Sequence, residues 1–160
     1  MATRAATHDE VFPALGIRSP TAVEALRVLA LVGRIFYSAI FILSAPGHLS
    51  GAFVPYAAKA GVPSPELLVP ISGVLALAGG LSILLGWHAR IGALLLVVFL
   101  IPVTLWMHRF WGLSDPVAAA MQQVNFMKNL AMLGAALFLL YFGAGPLSLD
   151  ARRMRAAPQS

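Results

Sequence analysis

The segment LALVGRIFYSAIFILSAPGHL, residues 29–49, decides the fold of this chain because it is almost entirely apolar. A membrane-spanning helix needs about 20 such residues, since the hydrocarbon core is about 30 Å thick and each helical residue rises about 1.5 Å. Its one charged side chain, Arg34, is costly to place in lipid. The segment therefore predicts a transmembrane helix whose arginine has a specific partner or role.

The composition extends this interpretation to the whole chain of 160 residues, of which 59% are hydrophobic and only 11% are charged. Soluble domains carry about 25% charged residues, so much of this surface is predicted to face lipid. The absence of cysteine excludes disulfides, thiolate metal sites and iron–sulfur ligation by this chain. The net charge of +5 comes from basic residues that flank apolar runs, which argues against nucleic-acid binding.

Four apolar runs are long enough to cross a membrane, which predicts an all-α, polytopic bundle of four transmembrane helices in one domain over residues 21–150. The spans are predicted at residues 26–45, 67–86, 91–107 and 126–141. Residues 1–20 are predicted to form a mobile N-terminal tail and residues 151–160 a basic C-terminal tail.

The links between the spans carry shorter signals. FVPYAAKAG, residues 53–61, predicts a short interfacial helix that ends at its glycine. Ser114 or Asp115 is predicted to cap a helix with Pro116 in its first turn. That helix continues into the fourth span.

Basic residues near the span ends predict that both termini are cytoplasmic. Seven of them lie at the termini or between the second and third spans, against three on the other side. The seven are Arg4, Arg18, Arg27, Arg90, Arg152, Arg153 and Arg155, and the three are Lys59, Arg109 and Lys128. The links at 46–65 and 108–125 would then face the outside.

Two interpretations of Arg34 are open. In the first, its side chain extends to the membrane interface or to lipid phosphates, with its stem buried. In the second, it faces the bundle interior, with Ser38 one turn further along the same face, and donates hydrogen bonds to a ligand carbonyl, a buried amide or a partner's carboxylate. Ionisable residues within spans are functional by default, which favours the second interpretation.

The other candidate ligand-binding residues lie near the outer ends of the third and fourth spans. Thr104 and His108 are one helical turn apart, and the RFW segment after His108 is typical of a membrane–water boundary. Asn125 and Asn129 share one face with Gln122, although amides in membrane helices more often bond to a neighbouring helix than to a ligand.

Small residues in the second span predict close helix packing rather than chemistry. They are Ser72, Gly73, Ala76, Gly79 and Gly80. No metal site and no cofactor-binding motif is predicted, because the four histidines lie in separate elements. His48 and His108 share the predicted outer side, which leaves a bis-histidine haem site open as an alternative.

The order of these motifs resembles the DoxX family of small bacterial membrane proteins over about residues 26–150. The motifs are GRIFYSAIFILSAPGHL, AGVPSP, LAGGLSILLGWHAR, HRFW and KNLAMLGAALFLLYFGAGPLSLD. The resemblance implies a four-helix bundle in the cell inner (plasma) membrane. It maps the family arginine to Arg34, the outer histidine to His108 and a Lys–Asn pair to Lys128 and Asn129.

The resemblance also implies a link to respiratory or oxidative metabolism, because some relatives are subunits of a thiosulfate:quinone oxidoreductase and others associate with redox proteins. We therefore predict a membrane subunit of a quinone-linked redox complex that binds quinone or anchors a catalytic partner. Whether the chain is itself an enzyme stays open. So does the choice between partner proteins and a homo-oligomer, beside the expected contact with lipid.

Two alternatives to this function are a non-catalytic scaffold, with the basic tail as its contact surface, and a small-molecule transporter. One departure from the family pattern matters: relatives often carry a glutamate where this chain has Ala76. If that acid pairs with the arginine in relatives, Arg34 has lost its counter-ion here.

Overall fold

The computed structural model describes residues 19–156, which form six helices and no strand. The helices are α1 (Pro20–Leu49), α2 (Val54–Lys59), α3 (Pro65–Leu85), α4 (Ala89–Met107), α5 (Pro116–Phe142) and α6 (Leu149–Ala156). Four of them, α1, α3, α4 and α5, are long and apolar enough to cross a membrane. The predicted all-α fold with four spans is confirmed.

The observed helices begin and end close to the predicted spans, with two extensions. The first helix already starts at Pro20 and continues through Pro46 to Leu49. The last span is the C-terminal part of a helix that starts at Pro116. There the Asp115 carboxylate accepts a hydrogen bond of 3.0 Å from the Val117 N–H, which confirms the predicted cap. The predicted short helix of the first link is α2.

The chain after the fourth span continues as a short helix. Residues 151–156 of the predicted basic C-terminal tail belong to α6. Residues 157–160 and the predicted N-terminal tail up to residue 18 lie outside the described residues. Residues 143–150 bind back to the bundle, where the Asp150 N–H donates to the Gly86 carbonyl at 2.8 Å.

The helices pack in the order α1 on α3, α3 on α4 and α4 on α5, with α2 against α3. Because the four spans alternate in direction, the bundle has two distinct ends. One holds the turn between α3 and α4 and residues 143–156, and we call it the terminal end. The other holds residues 50–64 and 108–115, and we call it the α2 end. That the terminal end is cytoplasmic stays a prediction.

The core lies where α1, α3 and α4 meet. Its buried cluster consists of Phe41, Ala76, Ile83, Ala93, Leu96, Phe99 and Leu100, and apolar residues of α5 pack against it. Large apolar side chains also cover the outside of the bundle, including Phe36 and Leu43, which are 74% and 79% exposed. Exposure on this scale is expected where lipid, rather than water, surrounds the helices.

Glycines of α3 let two helices approach it on different sides. A Cβ at Gly80 would lie 2.9 Å from the Ile42 side chain in α1. A Cβ at Gly79 would lie 2.7 Å from the Leu96 side chain in α4. A residue larger than glycine would force these helices apart, so the small-residue row of α3 sets the spacing on both of its faces.

Candidate functional site

Arg34 lies inside the bundle at the terminal end and is only 3% exposed. Its Nη2 donates a hydrogen bond of 2.7 Å to the carbonyl of Leu147, 113 residues later in the chain. A Cβ at Gly86, in the turn after α3, would meet Arg34 Nη1. The arginine therefore faces the interior and does not extend to the lipid surface, and it stands at the level of the α3–α4 turn.

The other two nitrogens of this guanidinium make no hydrogen bond to the described part of the chain. Arg34 Nε and Nη1 are enclosed by protein atoms and have no hydrogen-bond partner among residues 19–156. Asp150 supplies a nearby opposite charge that attracts the guanidinium. The opposite charge that acts on Arg34 thus lies in the C-terminal segment, although no salt bridge joins the two side chains among the described residues.

A glutamate at position 76 would not take that role. Ala76 is fully buried in the core, ten residues along α3 from Gly86, which corresponds to about 15 Å of helix. A carboxylate there would stand about three helical turns along α3 from the level of Arg34. The pairing suggested by the resemblance does not fit the helix register of this chain.

Asp150 also closes the terminal end. Its two carboxylate oxygens accept hydrogen bonds from the backbone N–H groups of His88, at 2.8 Å, and Ala89, at 2.9 Å. These are the first free N–H groups of α4, so Asp150 caps that helix from a distant part of the sequence. His88 has a φ of +49°, and the bond to Asp150 helps to hold this left-handed conformation.

α6 also attaches the C-terminal segment to the turn between α3 and α4. Arg153 Nη1 donates to His88 Nε2 at 3.1 Å, and its guanidinium carbon lies 5.9 Å from the centre of the Trp87 ring. Ser148 is buried and bonds within its own turn, to the Gly145 carbonyl at 2.7 Å. Together these contacts fasten residues 143–156 to the α3–α4 turn.

A groove of about 500 Å³ opens between α1 and α5 beside Arg34, and we call it the terminal groove. Gly33, Arg34 and Tyr37 line it from α1, and Ala135 and Phe138 from α5. At its deep end the Tyr37 hydroxyl donates to the Met132 carbonyl at 2.9 Å and joins the two helices. The groove is apolar apart from these groups.

A second space, of about 580 Å³, lies at the other end of the bundle between α1, α2, α3 and α4, and we call it the α2-end cavity. Its walls are aromatic and aliphatic, including Phe53, Val62, Leu75, Phe99, Val103 and Trp106. Two imidazoles, those of His48 and His108, line it as well. The exposed residues Ile71 and Val98 also belong to its wall, so the cavity reaches the lipid-facing surface.

Hydrogen bonds and ring contacts fix both histidines. His48 Nδ1 lies 2.8 Å from Ser72 Oγ, and its ring packs edge-on against Phe53 and Phe99. His108 Nδ1 lies 3.0 Å from Gln122 Oε1. Small-molecule sites commonly combine an apolar wall with a few fixed polar groups, and this volume is in their range of about 300–1,000 Å³.

The predicted ligand-binding residues are therefore divided between the two ends. Arg34 and Ser38 belong to the terminal half, and the Ser38 hydroxyl is already used by the Arg34 carbonyl at 2.6 Å. Thr104 is buried near the α2 end and donates to the Leu100 carbonyl at 2.6 Å. Only His108 among them lines the α2-end cavity.

The amides of α5 do not line either space. Asn129 is buried and Asn125 is half-buried. Lys128, which the resemblance pairs with Asn129, is exposed. The structure places these residues on α5 between the two spaces and does not bring them to Arg34.

Sequence analysis missed most of the α2-end cavity. The sequence predicts Tyr56 in a short interfacial helix and assigns Ser72 only to helix packing. The one available signal was that His48, Tyr56 and His108 all fall on the predicted outer side. Asp150 had no local pattern that marked it as the cap of a helix 61 residues earlier.

Four spans, a closed terminal end and an apolar cavity with two imidazoles define a small polytopic membrane protein with a candidate site for an apolar ligand. Residues 29–109 match the DoxX family. The chain belongs to the DoxX family.

Two curated relatives in Escherichia coli K12 match most of the chain. The inner membrane protein YphA is 32% identical over 127 residues, which cover 78% of this chain and 90% of YphA. The inner membrane protein YqjF is 31% identical over 122 residues, which cover 75% of this chain and 88% of YqjF. No solved structure matches. With its four spans, the chain is a multi-pass inner membrane protein in contact with lipid.

Proposed function

We propose that this protein is the membrane subunit of a quinone-linked redox complex and that the α2-end cavity binds the quinone head group. The observation that carries the proposal is a lipid-accessible apolar cavity of about 580 Å³ with two fixed imidazoles in its wall. A quinone is a lipid-soluble ring with two polar oxygens, so it needs an apolar wall and a few polar groups. The cavity offers both.

Arg34 is a weaker candidate for the quinone contact, although its chemistry suits a carbonyl oxygen. Its Nη2 is already bonded to Leu147, and its other two nitrogens are enclosed by protein. A ligand in the terminal groove would have to displace part of the wall to reach them. The proposal therefore assigns Arg34 to the attachment of the C-terminal segment and the quinone to the opposite end.

The complex needs a partner that supplies or accepts electrons, because the chain has no cysteine and no motif for a redox cofactor. Within the proposal, this chain binds the quinone and the partner carries out the rest of the electron transfer. α6 is a suitable contact surface, since Met154 is 73% exposed and Arg152 and Arg155 are exposed beside it.

The test is to purify the full chain from its native membrane in mild detergent, extract it with organic solvent and quantify quinone by mass spectrometry. Val103→Phe adds bulk to the α2-end cavity, and Arg34→Met removes the guanidinium at the other end. We expect close to one quinone per chain in the wild type and in Arg34→Met, and a strong loss in Val103→Phe.

Other results would assign the quinone to a different site or the protein to a different function. Loss of quinone in Arg34→Met with retention in Val103→Phe would move the site to the terminal groove. Absence of quinone from every sample would favour the second candidate, a scaffold that holds a partner at the membrane through α6. In that case deletion of residues 151–160 should release proteins that otherwise co-purify.

A further inference from the structure

The hydrogen bonds of His48 determine which of its ring nitrogens is free for a ligand. The Ser72 hydroxyl donates its single hydrogen to the Val69 carbonyl at 2.7 Å. Its oxygen can then only accept, so the 2.8 Å contact requires His48 Nδ1 to carry the hydrogen. In the neutral imidazole, Nε2 is consequently an unprotonated acceptor.

His108 is fixed in the same way by a longer chain of bonds. The Tyr56 hydroxyl donates to the Met107 carbonyl at 3.2 Å and accepts from Gln122 Nε2 at 2.9 Å. This orients the amide so that Gln122 Oε1 accepts from His108 Nδ1. Nε2 of His108 is then also an acceptor in the neutral ring.

The side-chain hydrogen bonds of both imidazoles among residues 19–156 are made through Nδ1, and both rings line the α2-end cavity. The α2-end cavity therefore presents two acceptors within an apolar wall. A ligand that satisfies them needs two donor groups on an apolar body.

We infer that the α2-end cavity binds the reduced, hydroquinone form of the quinone in preference to the oxidised form, with His48 Nε2 and His108 Nε2 accepting its two hydroxyl groups. This inference rests on the function proposed above and adds the redox state of the ligand. A hydroquinone has two O–H donors, which match the two acceptors in number and polarity.

The oxidised form fits the same groups poorly. Its two carbonyl oxygens are acceptors, so a neutral imidazole with its hydrogen on Nδ1 cannot bond to them through Nε2. Binding of the oxidised form would leave its two carbonyl oxygens and the two Nε2 atoms desolvated and without donors, which is costly in an apolar cavity. Ser72 and Gln122 act here as positioning residues, because they select the ring form without touching the ligand.

The experiment uses the purified full chain in detergent, under nitrogen, at about pH 8, where an unperturbed imidazole is neutral. The probes are a benzoquinone with one isoprene unit and its hydroquinone, and dissociation constants are measured by equilibrium binding. We expect the hydroquinone to bind at least about tenfold more tightly, as each satisfied acceptor contributes roughly that factor. This comparison needs no variant and so does not depend on any variant folding.

Three variants then test which residues cause the preference for the hydroquinone. His108→Phe keeps a flat ring but removes one acceptor, so hydroquinone affinity should fall about tenfold while affinity for the oxidised form changes little. Ser72→Ala releases the His48 ring from its fixed form and should reduce the ratio of the two affinities. His88→Phe is the matched control, because His88 lies at the terminal end and should leave both affinities unchanged.

The outcomes distinguish failure of the proposed function from failure of the redox preference alone. Binding of neither probe would overturn the proposed function together with this inference. Equal binding of both forms, or tighter binding of the oxidised form, would overturn the inference alone. A haem absorption band in the purified protein would also overturn it, since the two Nε2 atoms would then be axial ligands.

Discussion

Replacement of Asp150 tests whether the C-terminal segment holds the terminal end of the bundle together. The carboxylate accepts two short hydrogen bonds from the first N–H groups of α4. Hydrogen bonds to a charged group contribute about 1.5–3 kcal/mol each, and removal of a helix cap costs about 0.5–2 kcal/mol. We expect Asp150→Ala to lower the free energy of unfolding by about 2–4 kcal/mol.

Two further variants calibrate this value. Asp150→Asn keeps one acceptor oxygen and should lose about half as much, because its NH₂ group faces the second backbone N–H. Asp115→Ala removes the side-chain cap of α5. The Asp115 carboxylate is exposed and accepts one hydrogen bond of 3.0 Å from the Val117 N–H. The expected cost of this substitution is about 0.5–1 kcal/mol, the lower part of the range for helix caps.

The assay is reversible unfolding of the purified chain in mixed micelles by titration with a denaturing detergent, followed by circular dichroism. The expected order of destabilisation is Asp150→Ala, then Asp150→Asn, then Asp115→Ala. If Asp150→Ala costs no more than Asp115→Ala, the long-range cap does not stabilise the bundle, and the argument for α6 as an attached helix is refuted.

The same unfolding assay checks three other predictions. Arg34→Met should change the free energy of unfolding by no more than about 1 kcal/mol, since the lost bond to Leu147 and the lost attraction to Asp150 are offset by removal of a buried charge with two enclosed donors without partners. A loss above about 3 kcal/mol would mean that those donors are satisfied. Gly79→Ala should lower the free energy of unfolding by about 1–3 kcal/mol, because the added Cβ overpacks against α4. Gly134→Ala is the control and should not lower it, because the added Cβ meets no neighbouring atom within 4 Å. Ala76→Glu should cost roughly 3 kcal/mol or more and reduce the yield of monodisperse protein, because the acid would be buried without a partner; unchanged stability would contradict the buried position of Ala76.

Local features of the sequence were sufficient for the four membrane-spanning helices and for α2, but not for α6. The number of spans follows from the lengths of the apolar runs, and these lengths are set by the thickness of the membrane. The start of α5 follows from Pro116, because proline suits the first turn of a helix. α2 was also visible as a short segment between glycines and prolines.

The site depended on contacts that no local pattern reveals. Arg34 bonds to a carbonyl 113 residues away, and Asp150 caps a helix that begins 61 residues earlier. His48 and His108 line one cavity only because α1 and α4 both pack on α3 with particular faces. The sequence placed both histidines on one side of the membrane, and it contained no information on their distance or on their hydrogen bonds.

The physical reason lies in the surroundings of a membrane helix. Lipid is as apolar as a protein interior, so an apolar row that faces lipid and one that faces another helix have the same composition. Hydrophobic patterning therefore determines how many membrane spans this protein has and about how long they are. Which faces meet, and thus which polar residues share a cavity, is decided by close packing at small residues such as Gly79 and Gly80 and by a few long-range hydrogen bonds.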